Sequence, residues 1–446
     1  MSIKSFITQQ IGRLKHPAAG IVLIAAMASL EVGCGDVFRP VEIPVPQPSG
    51  DPKLYHFVMM INDNGPSNPG TALQIDVSGD SDVGEANMGR GPVHAALLPS
   101  GSRAYVANSL GDTVSVFSPA PPCFTNPCLV TGLGTPSTIT LPAGAHPSFV
   151  HTAEFATMYV IMPNLAPPAV GVISAGTNVL LRQVPVGNNP VAMVETPNGR
   201  KLYVVNQGDN TVTVINSTDH SVAKTVAVGP SPIFAVTTPD SSAIYVLNAG
   251  NGTISEISTF TDTVIATLSD PGAGANSLYY DTKLNRLYIT NGTANTLTIY
   301  DASVVPPGVP TLIKTVPLGL AAGFSAIRTT ALANGSKVYI LSYQDAAGVV
   351  STQLTAISEL TNTVLATVSI GTAAADICAD TPARFSVASS PESDRIYVAH
   401  CDAGAVYNLR TSDNVVVSKV SAPFSAKPPV GTVPPPQNPV FLLAGR

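Results

Sequence analysis

The sequence predicts an all-β protein: a single β-propeller of four-stranded blades, with eight blades the leading count and seven the alternative. Three observations carry that prediction. A tyrosine-centred segment recurs along the chain, and each clear copy is followed by the same succession of turns and strands. No stretch beyond the first thirty-odd residues keeps the three-four apolar spacing of a helix. Composition agrees, because 36 glycines and 40 prolines stand beside only 22 lysines and arginines in 446 residues, as many short strands joined by tight turns require.

The chain begins with a segment apart from the repeats. Lys4, Arg13 and Lys15 precede an apolar run from Pro17 to Leu30, which ends at Val32-Gly33 before Cys34. Basic, then apolar, then small is the pattern of an export signal, and the run is short for a membrane span. Residues 1–33 are read as that signal. Cys34, placed directly after Gly33, resembles the acylated cysteine of a bacterial lipobox, although Glu31 stands where lipoproteins prefer an aliphatic residue. The expectation is an exported protein of the bacterial cell envelope, periplasmic or surface-facing, touching a membrane only through a lipid on Cys34. Residues 34–52, with Pro40, Pro44, Pro46 and Pro48, read as an extended tether, and the propeller spans residues 53–446.

The repeat is clearest at Arg103-Ala-Tyr-Val-Ala-Asn108, Lys201-Leu-Tyr-Val-Val-Asn206, Ala243-Ile-Tyr-Val-Leu-Asn248 and Arg286-Leu-Tyr-Ile-Thr-Asn291, with weaker copies around Tyr55, Tyr159, Tyr339 and Tyr397. The eight tyrosines lie 50, 54, 44, 42, 43, 51 and 58 residues apart, a blade-length interval with loop insertions. Within one copy, Asn189-Pro-Val-Ala-Met-Val-Glu195 is an apolar first strand and Pro197-Asn-Gly-Arg200 reverses the chain. The tyrosine strand from Lys201 follows. Thr211-Val-Thr-Val-Ile215 then alternates polar and apolar, the period-two pattern of a half-buried strand, and a fourth strand ends at Gly229.

The ends fit a closed ring. Asn438-Pro-Val-Phe-Leu-Leu-Ala444 resembles a first strand with nothing after it but two residues, while the segment around Tyr55 resembles a second strand with no first strand before it. The C-terminal strand is therefore expected to complete the blade that the N-terminal strands begin. Proline-rich residues 422–437 would route the chain to that closure.

Four cysteines besides Cys34 suit an oxidising compartment. Cys123 and Cys128 flank a short insert, while Cys378 and Cys401 lie near successive strands of one repeat, so two disulfides are expected rather than a four-cysteine metal site.

Tyr203-Val-Val-Asn206 and Tyr105-Val-Ala-Asn108, with the alternating strands after them and the pairs Val186-Gly187, Val228-Gly229 and Ile370-Gly371, resemble the YVTN-type β-propeller repeat. The likeness spans about residues 90 to 445 and implies an exported, surface-associated prokaryotic protein. Related propellers include lactone hydrolases and redox enzymes, so it does not choose between binding and catalysis. Tyr105, Tyr203, Tyr245 and Tyr288 recur in every strong copy, as structural residues packing one blade on the next would. Asn108, Asn206, Asn248 and Asn291 are expected to bond turn backbone at the strand ends.

Function must then lie in residues that do not repeat. A net charge of -6 with no basic stripe argues against nucleic acid. The run containing Asp76, Asp80 and Asp82 misplaces the glycine and glutamate of a calcium loop. His94, Met193, Phe234, Arg328 and Arg384 fall in first-strand segments, with His146 and His151 bracketing the one after that of His94 and Asp376 and Asp380 just upstream of Arg384. No metal or cofactor is expected. The leading reading is a binding or scaffold module that engages an envelope or extracellular protein, peptide or glycan through one face. A lactonase-like hydrolase or an oxidoreductase, using His94, Arg328, Arg384 and Asp380 at the channel mouth, is the alternative.

Overall fold

The computed structural model describes residues 57–76, 81–119, 133–153, 157–375, 378, 385–421 and 438–445. The expected signal and tether, Cys34, Cys123, Cys128, Asp376, Asp380 and Arg384 lie outside these. The described strands form eight four-stranded antiparallel sheets, each running outward from an innermost strand. The protein is an eight-bladed β-propeller, which excludes the seven-bladed alternative. The innermost strands are Asn438–Gly445, Pro92–Leu97, Phe149–Thr152, Pro190–Glu195, Pro232–Thr237, Ala275–Asp281, Ser325–Ala331 and Phe385–Ser389, belonging to blades one to eight in that order. Each contacts the next, and the last contacts the first.

Burial explains the sequence of each strand. Second strands are sandwiched between neighbouring blades, so Ala243–Asn248 is buried at all six positions and reads as a continuous apolar run. Outermost strands such as Val222–Ala227 are almost wholly exposed and carry a lysine. Turns between third and fourth strands place Asn178, His220, Asp262, Asn362 and Asn414 at positive φ, a conformation that asparagine and aspartate tolerate best among side-chain-bearing residues.

Closure follows the expected route. The C-terminal strand pairs with Phe57–Asp63 from Phe57 opposite Gly445 to Asp63 opposite Asn438, completing blade one. Val440 and Leu442 are buried there. The segment Thr71–Asp76, weak as a repeat, forms the third strand of that blade. Cys378 and Cys401 are joined in a disulfide at the seam between blades eight and one, within an apolar cluster that includes Val440.

The repeated tyrosines from Tyr105 to Tyr397 are fully buried; several of their hydroxyls reach across seams, while that of Tyr245 meets Glu256 of its own blade. Tyr203 meets Asp262 at 2.6 Å and Tyr339 meets Asn414 at 2.8 Å, each in the turn of the following blade. The cation that opens several second strands does likewise: Lys201 bonds Thr259 O and Asp262, and Arg286 bonds Glu359 O at 2.7 Å. Arg103 and Lys337 bond the carbonyls of Ala175 and Thr411 in the same way. One local pair, Tyr and the preceding basic residue, thus supplies much of the polar stitching between blades.

The asparagines differ from expectation. The amides of Asn108, Asn206 and Asn248 donate to hydroxyls on their own third strands, Thr113 and Ser115, Thr211 and Thr213, and Thr253 and Ser255. Only Asn291 among the four bonds backbone, at Pro271 O and Ala273 O. The two hydroxyls on the third strand thus accept from the buried amide nitrogen in place of turn carbonyls. The glycine closing each strong repeat has a matching reason: a Cβ on Gly187 would lie 2.7 Å from Asn206, and one on Gly229 2.6 Å from Asn248.

Candidate functional site

Innermost strands can present side chains to the channel, and a recurrent irregularity decides which ones. In blades two, four, five, six and seven the pairing of first and second strands slips by one residue after Pro92, Pro190, Pro232, Ala275 and Ala326. Such a bulge re-aims the residue that follows it. His94, Ala192, Phe234, Ser277 and Arg328 then stand opposite Ala107, Val205, Leu247, Thr290 and Leu341. Phe149, Ser386 and Phe441 occupy the same level in blades three, eight and one, opposite Ile161, Ala399 and Ile61. Ala192, rather than Met193, belongs to this layer; Met193 pairs with Val204 and is buried between blades.

The layer has two groups of large side chains separated by small ones. On one side the His94 ring stacks on Phe149 with centroids 3.8 Å apart and meets Phe441 at 4.6 Å. On the other, the Arg328 guanidinium lies 5.3 Å from the centre of the Phe234 ring, reaching past Ser277 of the intervening blade. Ala192, Ser277 and Ser386 fill the remaining places. All four aromatic or imidazole rings and Arg328 are half-buried, as side chains opening on a channel are.

Electrostatics within the layer are lopsided. Burial, with the charges of His151 and Arg328, lowers His94 to about 3, and burial lowers His151 to about 4. Both imidazoles are neutral at physiological pH. Val150 N–H donates to His94 Nδ1 at 3.4 Å, which leaves the ring proton on Nε2. Arg328 stays cationic although burial lowers it.

Of the residues singled out from sequence, the structure places His94 on one side of this layer and Phe234 and Arg328 on the other, with His151 two residues beyond Phe149 in its strand. His146 stands apart on a connection, at φ 45°, with its backbone N–H on Asp112 Oδ1 at 2.8 Å. Among the described residues no three histidine, cysteine or acidic side chains are grouped to hold a metal ion. Phe149 and Phe441 were missed in the sequence, and the signal that marks them is an aromatic residue within an innermost strand.

A second concavity, of about 650 Å³, opens among the turns of blades four to six at the other end of the ring, with Phe260 and Val305 on its rim. Its polar groups bind one another: Asn198 N–H donates to Ser241, Thr259 to Ser241 O, and Lys201 to Asp262. It is seam structure more than a site.

No family model and no curated protein matches the chain. Solved structures do. Dihydro-heme d1 dehydrogenase NirN in complex with DHE is similar with a TM-score of 0.63 at 10% identity, covering 91% of this chain and 78% of that one. AztD from Citrobacter koseri has a TM-score of 0.59 at 13% identity, covering 88% and 99%. Kuenenia stuttgartiensis hydrazine synthase has a TM-score of 0.51 at 16% identity, covering 72% and 96%. At such identities the likeness concerns the propeller fold alone.

Proposed function

We propose that the protein is an exported ligand-binding propeller of the bacterial envelope, and that its ligand occupies the channel at the layer of His94 and Phe149. The observation that carries this reading is the set of half-exposed rings contributed by different blades, His94, Phe149, Phe441 and Phe234, with few polar groups among them. That is the make-up of a small-ligand site: apolar walls for affinity and sparse polar groups for orientation. The partner expected from sequence, a protein, peptide or glycan, is narrowed to a molecule or terminal group that lays an apolar face on these rings. The YVTN-type likeness, the N-terminal signal and the Cys378–Cys401 disulfide support export, and a lipid on Cys34 is part of the proposal.

Binding is favoured over catalysis by the state of His94. Its ring is clamped by two phenylalanines, its Nδ1 is occupied by a backbone N–H, and its low basicity suits it poorly to proton transfer near neutrality.

Spectra of the full chain carrying ¹³C-labelled histidine test the site. The chain has seven histidines, of which His94 and His151 report on the channel. Addition of small-molecule extracts from the exporting cell's envelope should move these two signals and leave His146, His220 and His400 in place. Movement confined to the latter three overturns the reading.

A further inference from the structure

We infer that the channel layer is a carboxylate site, in which the guanidinium of Arg328 receives a singly charged anionic group of the ligand. This inference rests on the channel reading above and adds the charge class of the occupant.

Arg328 lies on an innermost strand and, unlike the basic residues that tie one blade to the next, is not engaged by a neighbouring turn. Arg182 bonds Asp219 O at 2.9 Å, Lys224 bonds Thr261 O at 3.2 Å and Lys314 bonds Asn362 O at 2.8 Å, each tying one blade to the next. Lys201 pairs with Asp262, and Arg410 with Asp413. Among the described residues Arg328 makes no hydrogen bond and no ion pair; its one contact of this kind is the face of Phe234. A partly buried charge without a hydrogen-bonding partner is costly, and a ring face offsets that cost only in part. The five N–H donors of the guanidinium remain available in a planar fork.

The chemistry of the layer selects the anion. His94 and His151 are neutral, and among the described residues of the layer Arg328 carries the positive charge. A dianionic phosphate would bring an unbalanced negative charge into a site walled by Phe149, Phe234 and Phe441. A carboxylate matches both the charge and the fork, with two parallel N–H to O bonds. The body attached to it would lie on the phenylalanine rings, and the Nε2–H of His94 is a further donor in the layer.

Benzoate, benzamide and phenyl phosphate test this on the full chain, read through the His94 and His151 signals at about pH 6 and pH 8. Benzoate should bind at least tenfold tighter than benzamide, about 1.4 kcal/mol. Phenyl phosphate should bind no tighter than benzoate. Benzoate affinity should change less than about twofold between the two pH values, because neither imidazole titrates there. In Arg328→Gln, benzoate should fall to the level of benzamide while benzamide and the unfolding midpoint are unchanged. Where that variant does not fold, Arg328→Lys, which keeps the charge and loses the fork, should retain only part of the preference. Equal binding of benzoate and benzamide to the unaltered protein overturns the carboxylate assignment and leaves the channel reading standing. A preference for phenyl phosphate that grows toward pH 6 overturns it in favour of charged histidines. If no probe moves either signal, the channel reading falls and the assignment with it.

Discussion

The hydroxyl of Tyr203 and the carboxylate of Asp262 meet at 2.6 Å across the seam between blades four and five, with Lys201 Nζ 2.7 Å from the other carboxylate oxygen. Tyr203 and Lys201 are two residues apart in one strand, so a single turn residue in the next blade is held by both. Burial, with the hydrogen bond to Asp262, raises the phenol far above its usual range, and it remains a donor throughout the physiological window.

Tyr203→Phe removes that donor from a largely buried carboxylate. The expected loss is about 1–3 kcal/mol, read as a lower denaturant midpoint. Tyr105→Phe should cost less, because Tyr105 bonds Asn178 at 3.3 Å and no carboxylate.

Gly229→Ala should destabilise by about 1–3 kcal/mol through the clash with Asn248. Gly134→Ala, whose Cβ would meet nothing within 4 Å, is the control and should be near neutral. Thermal unfolding of both variants, and of Gly229→Ala combined with Asn248→Ala, checks the cause; the pair should be less than additive.

Glu359 is buried at the seam of blades six and seven, and burial followed by the charge of Asp281 raises its carboxyl to about 8. Its native value exceeds its unfolded one, so the protonated form stabilises the fold at acid pH. That contribution is lost as pH rises from the unfolded value through about 8. Glu359→Gln should therefore match the native protein near pH 4 and exceed it by on the order of 1–3 kcal/mol at pH 9. Denaturation at three pH values decides this; a constant difference would show that titration plays no part.

Replacing Cys378 and Cys401 together by serine should cost about 2–4 kcal/mol, since the bridge closes a loop with a sequence separation of 23. Reduction of the native protein should lower its unfolding temperature comparably and leave the double variant unaffected.

The blade was legible because it is built from neighbours in sequence. Asn206 and the Thr211 strand act through hairpins of a few residues, and the period repeats the same pattern around the ring. The partners of Asn108, Asn206 and Asn248 were not read, although hydroxyl residues five and seven positions later mark them in each copy. That Ala192 rather than Met193 lies in the channel layer was not legible, because the slip after Pro190 leaves no trace in composition. His94 and Arg328 stood out only as polar residues that do not repeat.

The sequence by itself determined the repeat, the closure of blade one by residues 438–445 and the proximity of Cys378 to Cys401, because each follows from local strand pattern and from the need to satisfy edge backbone. Tertiary structure alone decided that Phe441 and Phe149 clasp His94 and that Arg328 reaches Phe234 two blades away. Those residues share no local segment. They meet because eight independent bulged or paired strands converge on one axis, and the side chains opposed there are set by ring geometry rather than by any period in the chain.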